Sequence, residues 1–288
     1  MRLAILGLGL IGGSIAQAIQ DHGGATPFSI VGWSPSGAGP TAALSDGVIE
    51  RAAASLEGAI DGAELIVLAA DPLACLELLD ALGAYPFKGD QPTVTDVAST
   101  KAQIVARANQ RELHFVGGHP MAGLETTGYE HARADLFADR PWILCRGELA
   151  RPIDLERVEQ LVAACGAERR WLAAVDHDRA VAAISHLPLA VAAALVQAVG
   201  DADDWPLAEG LAAGGWSSMT RLARGDATMG AGIAATNALE LARRIRTLRA
   251  QLDDWLADLE ATPDDPAATA ARIEARLRAA RETLGSAD

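Results

Sequence analysis

The chain has few cysteines, and this shortage limits the kinds of site it can form. Its three cysteines are widely spaced, form no CxxC pair and have no histidine at ligand spacing; they are Cys75, Cys145 and Cys165. An odd number of separated thiols supports neither a disulfide framework nor a zinc site. We therefore expect buried thiols in a reducing cytoplasm, and no bound metal.

Positive charge is also scarce, since 24 basic residues face 38 acidic ones and the formal net charge is −14. Such a field repels phosphate backbones and anionic lipid, which argues against nucleic-acid and membrane-surface binding. No apolar run looks long enough to cross a bilayer. A small anionic substrate would need a local arginine cluster.

The first half of the sequence alternates short aliphatic runs with longer helical patterns, which is typical of a parallel sheet with crossover helices. The predicted strands are Arg2–Leu6, Ser29–Gly32, Leu65–Leu68, Thr93–Asp96, His114–Val116 and Trp142–Cys145. This pattern predicts a Rossmann-type doubly wound α/β domain over residues 1–149.

From residue 150 to residue 288 the sequence is rich in alanine and leucine and predicts an all-α domain, with Glu168–Leu172 as one further candidate strand. Asp176–Val199 is nearly uncharged and predicts a buried helix. Thr236–Ala261 has apolar residues at spacings of three and four, which predicts an amphipathic helix with a partner. That partner is either another helix of the chain or the same helix of a second copy in a homodimer.

A glycine-rich turn follows the first predicted strand and opens the first helix. In this turn Gly7 permits a tight bend, Gly9 lets the backbone approach a pyrophosphate, and Gly12 lets helix and strand pack closely. The phosphates would then lie at the helix N-terminus, beside the amides of Leu10 and Ile11. The turn predicts a dinucleotide cofactor.

The second strand runs into Trp33-Ser34-Pro35-Ser36 with no acid to hold the ribose hydroxyls of NAD. Ser34 and Ser36 could donate hydrogen bonds to a 2′-phosphate, and the missing carboxylate removes a repulsion. No arginine stands beside them, so NADP is favoured only slightly over NAD. The alternative is that the loop makes no specific contact.

Polar segments follow the third, fourth and fifth predicted strands, where ligands bind in such sheets. They contain Asp71, Ser99 within Asp96–Lys101, and His119 within Gly117–Gly123. Loss of a hydride from an alcohol requires a base for the hydroxyl proton, and a histidine has a suitable intrinsic pKa. We expect Asp71 and Ser99 near the cofactor and His119 as that base, although a lone loop histidine is more often structural.

Four motifs together resemble the prephenate/arogenate dehydrogenases of tyrosine biosynthesis. They are Gly-Leu-Gly-Leu-Ile-Gly-Gly-Ser (7–14), Asp-Val-Ala-Ser-Thr-Lys (96–101), Gly-Gly-His-Pro-Met-Ala-Gly (117–123) and Asp-His-Asp-Arg-Ala-Val-Ala-Ala-Ile-Ser-His-Leu-Pro (176–188). The resemblance implies an NAD(P)-dependent oxidative decarboxylation in which loss of carbon dioxide yields an aromatic ring.

The resemblance also implies roles for individual residues. His119 would accept the hydroxyl proton, with Ser99 beside the hydroxyl and the nicotinamide. His186 would line the substrate pocket, and Arg221 would bind the substrate carboxylate bidentately.

Two positions depart from the pattern of many members of that family. Leu189 stands where many carry a second histidine, and Gly230 where some carry a tryptophan. With the Ser34 loop, these departures resemble the NADP-linked arogenate dehydrogenases. The ammonium group of arogenate could meet Glu125 or Asp178, and either acid could equally be a surface or capping residue.

Two other functions fit a Rossmann domain followed by helices. A β-hydroxyacid dehydrogenase needs a lysine in the helical half, but the only lysines are Lys88 and Lys101. An imine reductase would not explain His119 and Arg221 together. A nucleotide-sensing protein without catalysis would be expected to have lost one of these two residues.

Overall fold

The computed structural model describes residues 1–22, 28–124 and 126–285. The chain divides into two compact units, Met1–Ala238 and Leu239–Asp288. The first unit contains a sheet covered by helices, and the second is helical.

The sheet of the first unit has eight strands in the order β3-β2-β1-β4-β5-β6-β7-β8. Only the β6–β7 pair is antiparallel among the strand pairs that the structure describes. The strands are β1 (Arg2–Leu6), β2 (Ser29–Trp33), β3 (Arg51–Ala52), β4 (Leu65–Leu68), β5 (Thr93–Asp96), β6 (Phe115–Pro120), β7 (Pro141–Arg146) and β8 (Glu168–Trp171). From β1 the chain adds β2 and β3 on one side, and it then crosses back to add β4 on the other side of β1. In doubly wound folds, ligands bind at this change in strand order.

Helices lie on both faces of this sheet. In chain order they are α1 (Leu10–His22), α2 (Ala38–Ser45), α3 (Leu56–Ile60), α4 (Pro72–Ala84), α5 (Ala102–Gln110), α6 (Pro152–Ala164), α7 (Ala174–Val181), α8 (Leu187–Gly200), α9 (Trp205–Gly210), α10 (Gly214–Thr220) and α11 (Ala227–Thr236). A π-helical turn, Ala182–His186, joins α7 to α8, and short 3-10 helices span Tyr129–His131 and Arg221–Arg224.

Successive side chains of the central strands point to opposite faces of the sheet and contribute to two hydrophobic cores, one on each face. Leu3 and Ile5 of β1 pack in one cluster with residues of α1 and α6. Ala4 and Leu6 pack in the other with residues of α3, α4 and α5. Burial on both faces explains why these strands read as continuous apolar runs.

The predicted Rossmann-type sheet followed by a helical region is confirmed, with three local differences. The two-residue strand β3 was not predicted, because Arg51 interrupts the apolar pattern. His119 was predicted in a loop but lies within β6, opposite Ile143 of β7. The sheet continues past the proposed domain boundary at residue 149, since β8 pairs with β7.

The apolar helical run Ala174–Gly200 differs from two expectations. It was expected to be buried, but 22% of its apolar window is buried, so that prediction is wrong for the single chain. The expectation that no run could cross a bilayer is also wrong, because α7, the π-turn and α8 are continuous. By length and apolar composition this run is the one candidate among the described helices.

The second unit is a helical hairpin of α12 (Ala238–Glu260) and α13 (Pro266–Leu284). Arg276 of α13 bonds the Asp258 carboxylate and the Asp254 carbonyl oxygen of α12. Leu252 and Leu259 of α12 remain exposed in the single chain.

Candidate active site

The glycine turn has the geometry that its sequence predicts. Gly7 adopts φ +106°, and a Cβ there would lie 2.2 Å from the carbonyl oxygen of Ala69. A Cβ on Gly12 would lie 1.9 Å from the carbonyl oxygen of Gly7, so the first turn of α1 packs directly on the loop. A Cβ on Gly9 would meet nothing within 4 Å. The open space therefore lies at the N-terminus of α1, where amides can bind a phosphate.

The other residues predicted at the cofactor have mixed surroundings. Leu10 is buried in the core and Ile11 is partly buried, so any contact with phosphate would come from their amides. Ser34 Oγ is buried and lacks a hydrogen-bond partner, whereas exposed Ser36 accepts a bond from the Ala38 amide. Asp71 caps α4 by accepting bonds from two amides of its first turn, a role that does not require a ligand.

A buried ion pair lies beneath the carboxyl edge of the sheet. Asp96 and Lys101 are both 0% exposed, and the Lys101 ammonium bonds the Asp96 carboxylate. That carboxylate also accepts bonds from the amides of Ala98 and Gly118, each at 3.0 Å. A Cβ on Gly118 would lie 2.5 Å from the Asp96 carbonyl oxygen, which explains the glycine before His119.

His119 belongs to a buried chain of three side chains. Its Nδ1 lies 2.8 Å from Nε2 of His177, and Nδ1 of His177 lies 2.8 Å from Oδ1 of Asp178. Asp178 also accepts bonds from the amides of Lys101 and Ala102 at the start of α5. This chain ties α7 to the ends of β5 and β6.

The bonds of Asp178 determine which ring nitrogens carry protons. An ionised carboxylate only accepts, so the neutral form of His177 donates from Nδ1 and accepts at Nε2. His119 then donates from Nδ1, which leaves a lone pair on its Nε2. This tautomer, assigned from the hydrogen-bond network, is the one a general base requires.

The surroundings of His119 favour its neutral form. Burial lowers its pKa well below the ordinary histidine value, and the positive charge of Lys101 acts in the same direction. A neutral imidazole can accept a proton at neutral pH.

His186 is 2% exposed and ends the π-helical turn. Within this turn the amide of Leu187 donates to the Ala182 carbonyl oxygen. Pro188 cannot donate the next helical bond, which accounts for the irregular turn, and π-turns are frequent at functional sites. Burial lowers the pKa of His186 to about 4, against the opposing effects of the Asp178 charge and the Ser99 backbone.

The structure brings Ser99, His119 and His186 to the same edge of the sheet, and adds His177, which we did not predict. Asp178 requires a correction: it is 2% exposed and both carboxylate oxygens accept protein donors, so it caps α5 rather than facing a substrate ammonium. Glu125 lies outside the described residues. The role of Arg221, exposed at the start of a 3-10 helix that packs on α8, stays a prediction.

Two further observations bear on the site. The residues that depart from the family pattern are neighbours, since a Cβ on Gly230 would lie 3.5 Å from Cδ2 of Leu189. All three cysteines are buried and free, as predicted. Within the described part of the chain, no group of three or more His, Cys, Asp or Glu side chains could hold a metal ion.

Comparison with known proteins decides the family. Residues 15–170 match the nucleotide-binding domain of prephenate dehydrogenase, and residues 173–265 match its dimerization domain. The chain belongs to the prephenate dehydrogenase family. A prephenate dehydrogenase of Lactococcus lactis subsp. cremoris is 33% identical over 259 residues, which cover 88% of this chain and 70% of that relative.

Solved structures of this family share the fold. Synechocystis arogenate dehydrogenase superposes with a TM-score of 0.77 at 30% identity, covering 99% of this chain and 100% of that one. Prephenate dehydrogenase from A. aeolicus, in complex with hydroxyphenyl propionate and NAD+, gives a TM-score of 0.84 at 24% identity and covers 96% of each chain.

Proposed function

We propose that this chain catalyses the NAD(P)-dependent oxidative decarboxylation of prephenate or arogenate in tyrosine biosynthesis, with His119 as the base. The observation that carries the proposal is the chain from Asp178 through His177 to His119, because it leaves a neutral imidazole with a free lone pair on Nε2. Both substrates have the same ring hydroxyl and ring carboxylate, so the base serves either one.

In this reaction the side chains of the protein move one proton and hold the reacting groups. The nicotinamide, when bound, accepts the hydride from the ring carbon that bears the hydroxyl. His119 Nε2 takes the hydroxyl proton as the carbon–oxygen double bond forms. Breaking of the bond to the ring carboxylate then releases carbon dioxide and leaves its electron pair in the ring, and the phenolate oxygen recovers the proton from His119. We infer that Ser99, on the loop after β5, orients the hydroxyl.

The cofactor is held by the turn that contains Gly7, Gly9 and Gly12. The fit is supported by the open space over Gly9 and by the buried Ser34 hydroxyl, which lacks a protein partner. We infer a preference for NADP, since the loop after β2 has serines and no acid. Ser34→Asp should reverse that preference by about tenfold, equivalent to about 1.4 kcal/mol of charge repulsion. Equal use of both cofactors before and after the change would argue against the inference.

Arg221 is the proposed anchor for the substrate carboxylate. Arg221→Ala should raise KM for the substrate with little change in kcat, as loss of uniform binding does. Arg224 is exposed on the same 3-10 helix, and Arg224→Ala is the matched control. Equal KM values in the two variants would place the anchor elsewhere.

A homodimer in the cytoplasm is the proposed assembly. Residues 173–265 match a dimerization domain and include the apolar helix α8, in which only Ala192 is fully buried in the single chain. The helical hairpin separately exposes leucines of α12, such as Leu252 and Leu259. A second copy would cover these residues, and three buried free thiols suit a reducing compartment. Sedimentation of a monomer without detergent would contradict the dimer.

One steady-state assay tests the activity. Purified protein is given prephenate or arogenate with NAD or NADP, and the reduced cofactor and carbon dioxide are measured. We expect equal amounts of both products with at least one substrate. Cofactor binding without turnover of either substrate would overturn the proposal in favour of a nucleotide-sensing protein.

A further inference from the structure

His186 has one ring nitrogen engaged and the other free. Its Nδ1 lies 3.2 Å from Nδ2 of Asn237, whereas its Nε2 is buried and, although the Ser99 backbone lies near the ring, has no partner at hydrogen-bond geometry. A buried polar atom without a partner is costly unless a ligand satisfies it. The direction of the bond to Asn237 decides what kind of ligand Nε2 can meet.

The orientation of the Asn237 amide is fixed by a second contact. Its Nδ2 lies 2.8 Å from the backbone carbonyl oxygen of Asp178, which can only accept. The amide therefore presents its nitrogen on this side, and its other hydrogen points to Nδ1 of His186. Nδ1 accepts, so a neutral His186 carries its proton on Nε2.

The end of α11 holds Asn237 in place. Asn237 is 6% exposed, and its backbone N–H donates to the Ile233 carbonyl oxygen at 3.1 Å. The preceding residue, Thr236, lies 2.8 Å from the Thr100 hydroxyl on the loop after β5. Asn237 thus reaches His186 from an element anchored at the same edge of the sheet.

We propose that Asn237 is a positioning residue that holds His186 in the Nε2–H tautomer, so that His186 donates a hydrogen bond to an anionic carboxylate oxygen of the substrate. The neutral state of His186 follows from its burial. The two histidines would then be opposite in role, since His119 accepts at its free nitrogen and His186 donates. A ligand with one hydroxyl and one carboxylate fits this pair. The nature of the ligand rests on the proposed function, but the tautomer does not.

The test is imidazole nitrogen NMR on ¹⁵N-histidine-labelled protein without substrate, with His186 assigned by its loss in His186→Gln. We expect a protonated Nε2 and an unprotonated Nδ1. Asn237→Asp replaces the donor by an acceptor and should move the proton to Nδ1. Asn237→Ala should mix the two tautomers and raise KM by about tenfold, equivalent to about 1.4 kcal/mol.

Thr236→Val is the matched control, because it removes the neighbouring bond to Thr100 and leaves the Asn237 amide intact. It should keep the wild-type tautomer, which separates tautomer control from a general effect on the end of α11. A wild-type His186 protonated at Nδ1, or a wild-type pattern in Asn237→Ala, would overturn the inference. If Asn237→Asp does not fold, the wild-type and Asn237→Ala spectra still decide. A protein inactive on both substrates but with the expected spectra would contradict the proposed function alone.

Discussion

The two sides of the sheet's carboxyl edge are built in different ways. On the β5–β6 side, the row of side chains from Asp178 to His119 is hydrogen-bonded from end to end, and His186 keeps one ring nitrogen, Nε2, without a partner. On the β1–β2 side, Gly9 faces open space and Ser34 Oγ has no partner. The protein has therefore fixed the geometry of the chemistry in advance and left the dinucleotide side to be completed by its ligand.

The largest change in stability should come from the glycine turn, where one glycine packs against the backbone and a nearby one faces open space. Gly12→Ala places a Cβ 1.9 Å from a backbone oxygen, so we expect a loss of stability above about 4 kcal/mol. Gly9→Ala enters open space, so its unfolding temperature should stay near wild type while its cofactor Kd rises. Thermal unfolding and cofactor titration measure both. Similar unfolding temperatures for the two variants would break the distinction.

The buried ion pair should come next. Lys101→Met leaves the Asp96 carboxylate buried without its cation, which typically costs about 3–5 kcal/mol. The double variant Lys101→Met with Asp96→Asn should recover part of this loss, because it removes the unpaired charge. Denaturant unfolding of the three proteins measures the effect. A single variant as stable as wild type would show that the pair contributes little.

Stability should also depend on pH through His186. Its folded pKa of about 4 lies below the unfolded value of about 6.5, so the unfolded state gains a proton first as the pH falls. This contribution is complete above pH 6.5 and is lost as the pH falls toward 4, by up to about 3 kcal/mol. The unfolding free energy of His186→Asn should depend less steeply on pH in that range. Parallel profiles would contradict the low pKa.

The smallest of the four effects should come from His177, which acts through His119. His177→Phe removes the acceptor for His119 Nδ1 and should lower kcat by roughly 10- to 100-fold with little change in KM. The acceptor at His177 Nε2 also stabilises the protonated form of His119, so its loss should move the acidic limb of the kcat/KM profile to lower pH.

Arg179→Ala, an exposed change on the same helix, is the control for His177→Phe. A lower unfolding temperature with an unmoved acidic limb would show that His177 only packs.

Most of the sheet could be predicted from sequence, because its strands are buried on both faces and appear as apolar runs. His119 was misplaced in a loop, since Gly117 and Gly118 erase the alternation that marks a strand and only the pairing with β7 extends β6. The incomplete burial of α8 could not be predicted either, because an apolar helix has the same composition whether a core or a second subunit covers it.

The sequence predicted the histidines proposed to contact the substrate, but not the residues that hold those histidines in place. His119 and His186 stand out in the motifs, whereas His177 and Asn237 act through partners 58 and 51 residues away. One signal was available in the sequence. The start of α5 has no side chain of its own that caps the helix, so its first amides need a hydrogen-bond acceptor from another element. Asp178 is that acceptor. Sequence spacing cannot identify such a contact between elements.

The most direct test of the central claim is the turnover of His119→Asn beside that of His131→Asn, which changes an exposed histidine. If His119 is the base, the first variant should lose about 10²–10⁴-fold in kcat while binding the cofactor as wild type does, and the second should keep its activity. Full turnover by His119→Asn would contradict the account.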